Sequence, residues 1–224
     1  MYQVAKNIML DVFNDPRSGI HVYRAKNLVE ATIDMIITNK NASLAIINIL
    51  SFDYYTYSHS VNVAILGLLF SKYLGIKFEE LNVLGTGLLF HDIGKTQIES
   101  EIINKKEKLN EKEFTRIKMH VELGANILTK VRDIGDVSLF PVRQHHEKCN
   151  GKGYPNRLQG DDIHKFGKIA SIIDVYDALT TRRSYADAKK PFSALNIMKN
   201  EMEGSFDDEL FTKFILFLGQ RSEK

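Results

Sequence analysis

Seven ionisable side chains, set in or beside apolar runs, constrain this chain more than any other feature. They are His59, the adjacent pair His91-Asp92, His120, the adjacent pair His145-His146, and Asp174. Folding buries apolar runs, so it buries these groups with them. Taking imidazoles and carboxylates out of water costs several kcal/mol unless something pairs them, and a cluster of divalent cations pairs all of them at once. Asp174 makes the point most sharply, because it interrupts Ile172-Ile173 and Val175-Tyr176, where an unpaired carboxylate is heavily penalised. The sequence reads as that of a metalloprotein.

The frame that holds these groups is helical. Apolar residues recur at three- and four-residue spacing and few alternating strand runs occur. Asp15-Pro16-Arg17-Ser18-Gly19 is the first break, with a separate helix before it. From about Leu28 to Phe52 the pattern predicts two helices split near Asn39-Lys40-Asn41, and His59 to Leu74 forms the next, with Gly75 as its stop. Asn110 followed by Glu113 and the series Phe114, Ile117, Ile127, Leu128 predicts one capped amphipathic helix with His120 facing inward. Asn150-Gly151-Lys152-Gly153-Tyr154-Pro155 is an irregular loop directly after the histidine pair. Lys165 to Arg182 is another apolar helix, and Asp207 is the expected N-cap of the last one, which ends near Gly219.

Composition mainly excludes. With 44% apolar residues in 224, the chain can fill a real core without staples. A net charge of +2, from 30 basic and 28 acidic residues, leaves no bulk electrostatic argument for a nucleic-acid polymer or a membrane surface. The single cysteine, Cys149, rules out an internal disulfide framework and fits a reducing compartment, so a cytoplasmic chain is expected. The N-terminus lacks the features of a leader peptide, and the apolar stretches around Val61–Phe70 and Leu84–Phe90 fall short of the about 20 residues a bilayer span needs.

The adjacent pairs point to the chemistry. Neighbours on a helix project about 100° apart, so one metal seldom takes both. Two metals side by side can, and a carboxylate such as Asp92 can bridge them. Two-metal hydrolytic sites hold ions about 3.5–4 Å apart and suit in-line displacement at phosphorus. Phosphoester hydrolysis is therefore the leading chemistry.

His91-Asp92-Ile93-Gly94-Lys95, followed by His145-His146-Glu147-Lys148-Cys149-Asn150-Gly151-Lys152-Gly153-Tyr154-Pro155, resembles the HD-GYP domain family. The match extends through Tyr57 to Ala64, through Ile173 to Thr180 and through Phe206-Asp207, and covers roughly residues 45 to 220. The resemblance implies an all-α helical bundle of the HD superfamily over 45–224, preceded by a short helical extension, linker or dimerising element over 1–44. It implies a bacterial phosphodiesterase that hydrolyses cyclic di-GMP to pGpG, GMP or both, using a hydroxide between two metals. It assigns His59, His91, Asp92 and Asp174 to one metal, and Asp92, His120, His145 and His146 to the second, with Asp92 bridging. The position of the glutamate that holds a third ion in some members is Tyr55 here, so two metals are expected.

Lys95 matches the family lysine near the scissile phosphate, and Tyr154 and Arg183 match ligand-contacting positions. The family points to iron or manganese; the donor types admit zinc, cobalt and nickel as well. Expected partners are cyclic di-GMP or a related cyclic dinucleotide, GGDEF-type or other signalling proteins, and a second copy in a homodimer. Glu147 is read as a supporting residue rather than a ligand, and His21, His164 and Cys149 as ordinary residues. Asn150 stands where the family usually has Asp, Ser184 where it has Pro, and Ala186 where it has a cation. The last departure keeps two alternatives open: a phosphodiesterase for a different dinucleotide such as 3',3'-cGAMP, and a catalytically weak receptor or interaction module. A general HD-superfamily nucleotide phosphohydrolase is a third, against which the loop ending in Tyr154-Pro155 argues.

Overall fold

A helix that is apolar on every side cannot lie on a surface, and the residues from Ser58 to Ser71 are of that kind. In the computed structural model, which describes residues 2–38, 56–132, 134–181 and 187–219, they occupy the centre. Numbered in chain order, the helices are α1 (Tyr2–Asn14), α2 (Gly19–Thr38), α3 (Thr56–Tyr73), α4 (Phe78–Phe90), α5 (Ser100–Ile103), α6 (Glu111–Lys118), α7 (His120–Leu128), α8 (Leu139–Gln144), α9 (Lys165–Thr180), α10 (Pro191–Asn200) and α11 (Asp208–Gly219). Single turns of 3-10 helix at Ile93–Gln97, Asp136–Ser138 and Gly160–Asp162 punctuate them. Among the described residues the one extended pairing is the isolated bridge between Asn150 and Gln159, so the chain is all-α as expected.

α3 is the axis, and α1, α4 and α9 pack against it. Fourteen consecutive buried residues, Ser58 to Ser71, run along it, and Gly75 at φ 74° turns the chain away after its last turn. α1 and α2 each offer one apolar stripe, Ala5, Ile8, Met9 and Val12 on the first and Val22, Ala25, Val29, Ile33 and Ile36 on the second. These stripes join the same core as Phe70, Leu84, Leu88 and Phe90.

Two helices begin or break where periodicity did not place them. α2 reaches back to Gly19 rather than starting at Leu28, because Val22 and Ala25 already belong to its buried stripe. Its predicted continuation beyond Thr38, and the helix up to Phe52, lie outside the described residues. The single helix predicted after Asn110 is two, α6 and α7, divided at Met119, whose amide bonds back to Arg116 and Ile117 in a tightened turn. Its capping box is as predicted: Asn110 accepts from the Glu113 amide at 2.9 Å and the Glu113 carboxylate accepts from the Asn110 amide at 2.8 Å. Asp207 likewise caps α11 through the Leu210 amide at 3.0 Å. Among the described residues no helix is long and apolar enough to cross a membrane.

Candidate metal centre

The last turn of a helix leaves backbone carbonyls without partners, and this chain uses them to aim its histidines. His91 follows α4 directly and its Nδ1 meets the Leu88 carbonyl at 2.7 Å. His120 opens α7 with Nδ1 at 2.7 Å from the Ile117 carbonyl of α6. His145 follows α8 with Nδ1 at 2.9 and 3.1 Å from the carbonyls of Pro141 and Val142. A carbonyl only accepts, so in each ring Nδ1 carries the proton and Nε2 turns its lone pair into the site.

The adjacent pairs therefore work differently from two neighbours inside a helix. His91-Asp92 and His145-His146 stand where helices end, and the turn, not helical spacing, brings both members of each pair to one cavity. Asp92 sits at φ −101°, ψ 6°, entering a 3-10 turn. Only glycine at position 94 lets that turn lie against α7, because a Cβ there would stand 1.9 Å from the His120 carbonyl oxygen and 2.5 Å from the Gly124 nitrogen.

All seven predicted side chains converge. His59, His91 and Asp174 form one triplet and His120, His145 and His146 another, each with ligand atoms within 4.8 Å of one another. Asp92 lies between them. Its Oδ2 is 3.5 Å from His91 Nε2 and 3.7 Å from His59 Nε2, while its Oδ1 is 3.4 Å from His120 Nε2 and 3.8 Å from His145 Nε2. Asp174 reaches His59 Nε2 at 3.0 Å and lies 3.9 Å from His146 Nδ1.

The electrostatics ask for cations. His91 Nε2 approaches His59 Nε2 to 3.3 Å, and His120 Nε2 approaches His145 Nε2 to 3.2 Å. With the protons of His120 and His145 on Nδ1, their lone pairs face each other across the second gap and repel unless a positive charge lies there, while in the first gap His59 Nε2 also lies 3.0 Å from Asp174 Oδ1. Protons do not supply it near neutral pH: burial, prevailing over the opposing pull of Asp92, takes both His120 and His145 down to about 4. Burial also lowers His91 and His146. Burial opposes the Asp92 anion, but Lys95 and then His91, His120 and His59 outweigh it and hold the carboxyl well below its usual range. Asp174 is held low in the same way, chiefly by His59. Asp92 Oδ1 is buried without a hydrogen-bond partner. Carboxylates that stay ionised, imidazoles that stay neutral and an orphaned buried oxygen fit divalent metal binding.

Lys95 places Nζ 2.5 Å from Asp92 Oδ2. Tyr154 packs against His146 with ring centroids 4.6 Å apart and the planes tilted by 31°, and burial raises the pKa of its phenol. Lys118 lies over the rings of both Tyr154, at 5.4 Å, and Phe114, at 4.5 Å. Phe114, expected on an inward stripe, is 46% exposed and meets Tyr154 edge-on, because the break at Met119 separates the α6 stripe from that of α7. Arg183, Tyr55, Ser184 and Ala186 lie outside the described residues.

Glu147 is buried and fixes the loop, accepting from the backbone amides of Asn156 at 2.7 Å and Leu158 at 3.0 Å. Gly153 is pressed against it; a Cβ there would stand 2.4 Å from the Lys148 nitrogen. Asn150 holds the turn with neutral bonds, accepting from the Lys152 amide at 3.1 Å. His164 caps α9 through Phe166 N at 3.1 Å and stacks on Phe140.

Sequence reasoning missed Asp177. Its Oδ2 accepts from His59 Nδ1 at 2.7 Å. The available signal was its place three residues after Asp174, on the same face of α9.

The sequence profile of the HD domain family matches residues 58–210. Over 219 residues the chain is 32% identical to the cyclic di-GMP phosphodiesterase PA4108 of Pseudomonas aeruginosa, covering 96% of this chain and 52% of that protein. It is 39% identical over 133 residues to the 3'3'-cGAMP-specific phosphodiesterase 2 of Vibrio cholerae, covering 59% of this chain and 26% of that one. The chain thus spans about half or less of the length of these curated relatives. Bd1817, a HDG"Y"P protein from Bdellovibrio bacteriovorus, shares the fold at a TM-score of 0.83 and 20% identity, over 97% of this chain and 70% of that one. The convergence of these histidines and aspartates, and the profile match that spans them, establish that the chain belongs to the HD domain family.

Proposed function

We propose that this chain is a phosphodiesterase that uses two divalent metal ions to hydrolyse cyclic di-GMP to pGpG, GMP or both. The observation that carries this reading is Asp92, whose buried carboxylate turns one oxygen to the histidines of each triplet and leaves Oδ1 without a hydrogen bond. His59, His91 and Asp174 would hold one ion, His120, His145 and His146 the other, and Asp92 both. Histidine and carboxylate donors without thiolate suit iron or manganese, with zinc, cobalt and nickel as other candidates. Bound there, such ions supply positive charge against which a phosphate oxygen can build charge and a water can lose its proton near neutral pH.

The chain's own groups do the rest. Lys95, anchored on Asp92 Oδ2 at the partly exposed edge of the cluster, can hand a proton-bearing nitrogen to the departing oxygen of the phosphodiester. Tyr154, packed against His146 and kept protonated by burial, offers a neutral hydroxyl and a ring to the dinucleotide. Arg183 is assigned a phosphate- or guanine-binding role on the strength of its motif position.

The test is turnover of cyclic di-GMP by chain loaded anaerobically with ferrous iron or manganese, with products separated by chromatography and Asp92→Ala run beside it. Linear pGpG or GMP from the intact chain alone is the expected result. Turnover of 3',3'-cGAMP in place of cyclic di-GMP would favour the second substrate, to which the Vibrio cholerae relative's name lends support. Two bound ions with no turnover of either would overturn the enzymatic reading.

A further inference from the structure

One histidine of the candidate metal centre, His59, is supported by different means from His91, His120 and His145. His91, His120 and His145 direct Nε2 inward because their Nδ1 atoms are tied to backbone carbonyls, which move only if a helix end moves. His59 is tied to a side chain. Its Nδ1 donates to Asp177 Oδ2 at 2.7 Å, and Asp177 Oδ1 in turn accepts from Asn62 Nδ2 at 3.0 Å and from Thr181 Oγ1 at 3.2 Å. Asn62 is buried on α3, one turn after His59, and an amide can face either way. Its direction is set from outside: the Tyr2 hydroxyl donates to Asn62 Oδ1 at 2.6 Å, which leaves the NH2 group for Asp177.

Tyr2 belongs to α1, sixty residues from Asn62 in the chain, and α1 packs on α3. A continuous run of hydrogen bonds thus leads from the first helix to one imidazole of the cluster. A carboxylate on Nδ1 also makes the opposite nitrogen of an imidazole a stronger donor than a carbonyl does. We propose that Tyr2, Asn62 and Asp177 are positioning residues for the His59 half of the centre, so that the placement of α1 sets metal affinity there and leaves the His120 half untouched. The proposal rests on the two-metal reading above.

The experiment is titration of the metal-free full chain with Co(II), followed by its visible absorption, so that the two binding steps are read without turnover. The step lost in His59→Ala identifies the half in question. Tyr2→Phe, which keeps the ring and removes the hydroxyl, should weaken that step several-fold. Asp177→Asn should weaken it about 10- to 100-fold, the usual cost of losing a group that orients a ligand. The other step should hold within about 2-fold, below the effect expected for an orienting partner. Val12→Ala, buried on α1 but outside the run, should lower the melting temperature and shift neither step. Equal weakening of both steps, no change in Tyr2→Phe and Asp177→Asn, or a selective effect reproduced by Val12→Ala would each overturn the proposal while leaving the two-metal reading standing. A wild-type chain that takes up no ion would overturn both.

Discussion

Asp92 and Lys95 form a contact whose two sides answer to different measurements. The lysine lowers the carboxyl and the carboxylate holds the lysine at the edge of the cluster. Lys95→Ala should keep both metals, since no triplet depends on it, while turnover falls about 100-fold, the usual cost of removing a donor aimed at developing charge. Metal analysis beside steady-state rates checks this; loss of ions with unchanged turnover per ion would exclude the leaving-group role. The histidines predict a pH response of the metal-free chain. His120 and His145 carry folded values of about 4 against the ordinary 6.5. Below 6.5 the unfolded chain takes up protons that the folded chain refuses, so stability falls as pH drops from 6.5 toward 4 and is insensitive to these groups above 6.5. One such group contributes ~2 kcal/mol of loss by pH 5. Urea midpoints at pH 7.5 and 5 read the difference, and added metal should offset it.

The site is built at the ends of elements. Three histidines meet orphan carbonyls at helix termini, and the 3-10 turn after Asp92 is held against α7 by the absence of a side chain at Gly94. Gly94→Ala should therefore do two things at once. Its Cβ meets the α7 backbone at His120 and Gly124, so the turn or α7 must shift, destabilising the fold and weakening metal uptake in the His120 half. Asn110→Ala provides the contrast, because it removes the capping box of α6 at a cost of about 1 kcal/mol without touching the cluster. Chemical denaturation together with ion content separates these outcomes. A Gly94→Ala chain that keeps full stability and both ions would show that the close approach is not needed.

Across the whole molecule, helices from both ends of the described chain share one core. Val12 and Ile33 belong to the same cluster as Phe211 and Phe214, with α3 between them. The cluster of ionisable groups costs stability when empty and repays it when charged with metal, so the fold and the ions are linked. Free metal at 100 times the dissociation constant should stabilise the chain by about 2.7 kcal/mol for each site that only the folded state possesses. The thermal midpoint should thus rise with manganese or cobalt in the intact chain and stay flat in Asp92→Ala. Equal rises in the two would mean that binding is nonspecific.

The sequence alone determined the helical class, the capping signals at Asn110 and Asp207, and all seven groups that converge. For Asp174 and the His91-Asp92 pair it could do so because an ionisable residue in an apolar run betrays its burial locally, with no knowledge of what lies across from it, whereas His145-His146, between Arg143-Gln144 and Glu147-Lys148, were legible from their adjacency and motif. Only the tertiary structure decided how those groups are aimed. The acceptors that set His91, His120 and His145 are backbone carbonyls, which every residue carries, so no residue type announces them. Asp177 and Tyr2 matter only through partners 118 and 60 residues away, and Phe114 faces outward because the helix breaks at Met119, where its spacing gives no sign. Burial leaves a mark in the local pattern, whereas orientation comes from contacts that the chain makes only after it has folded back on itself.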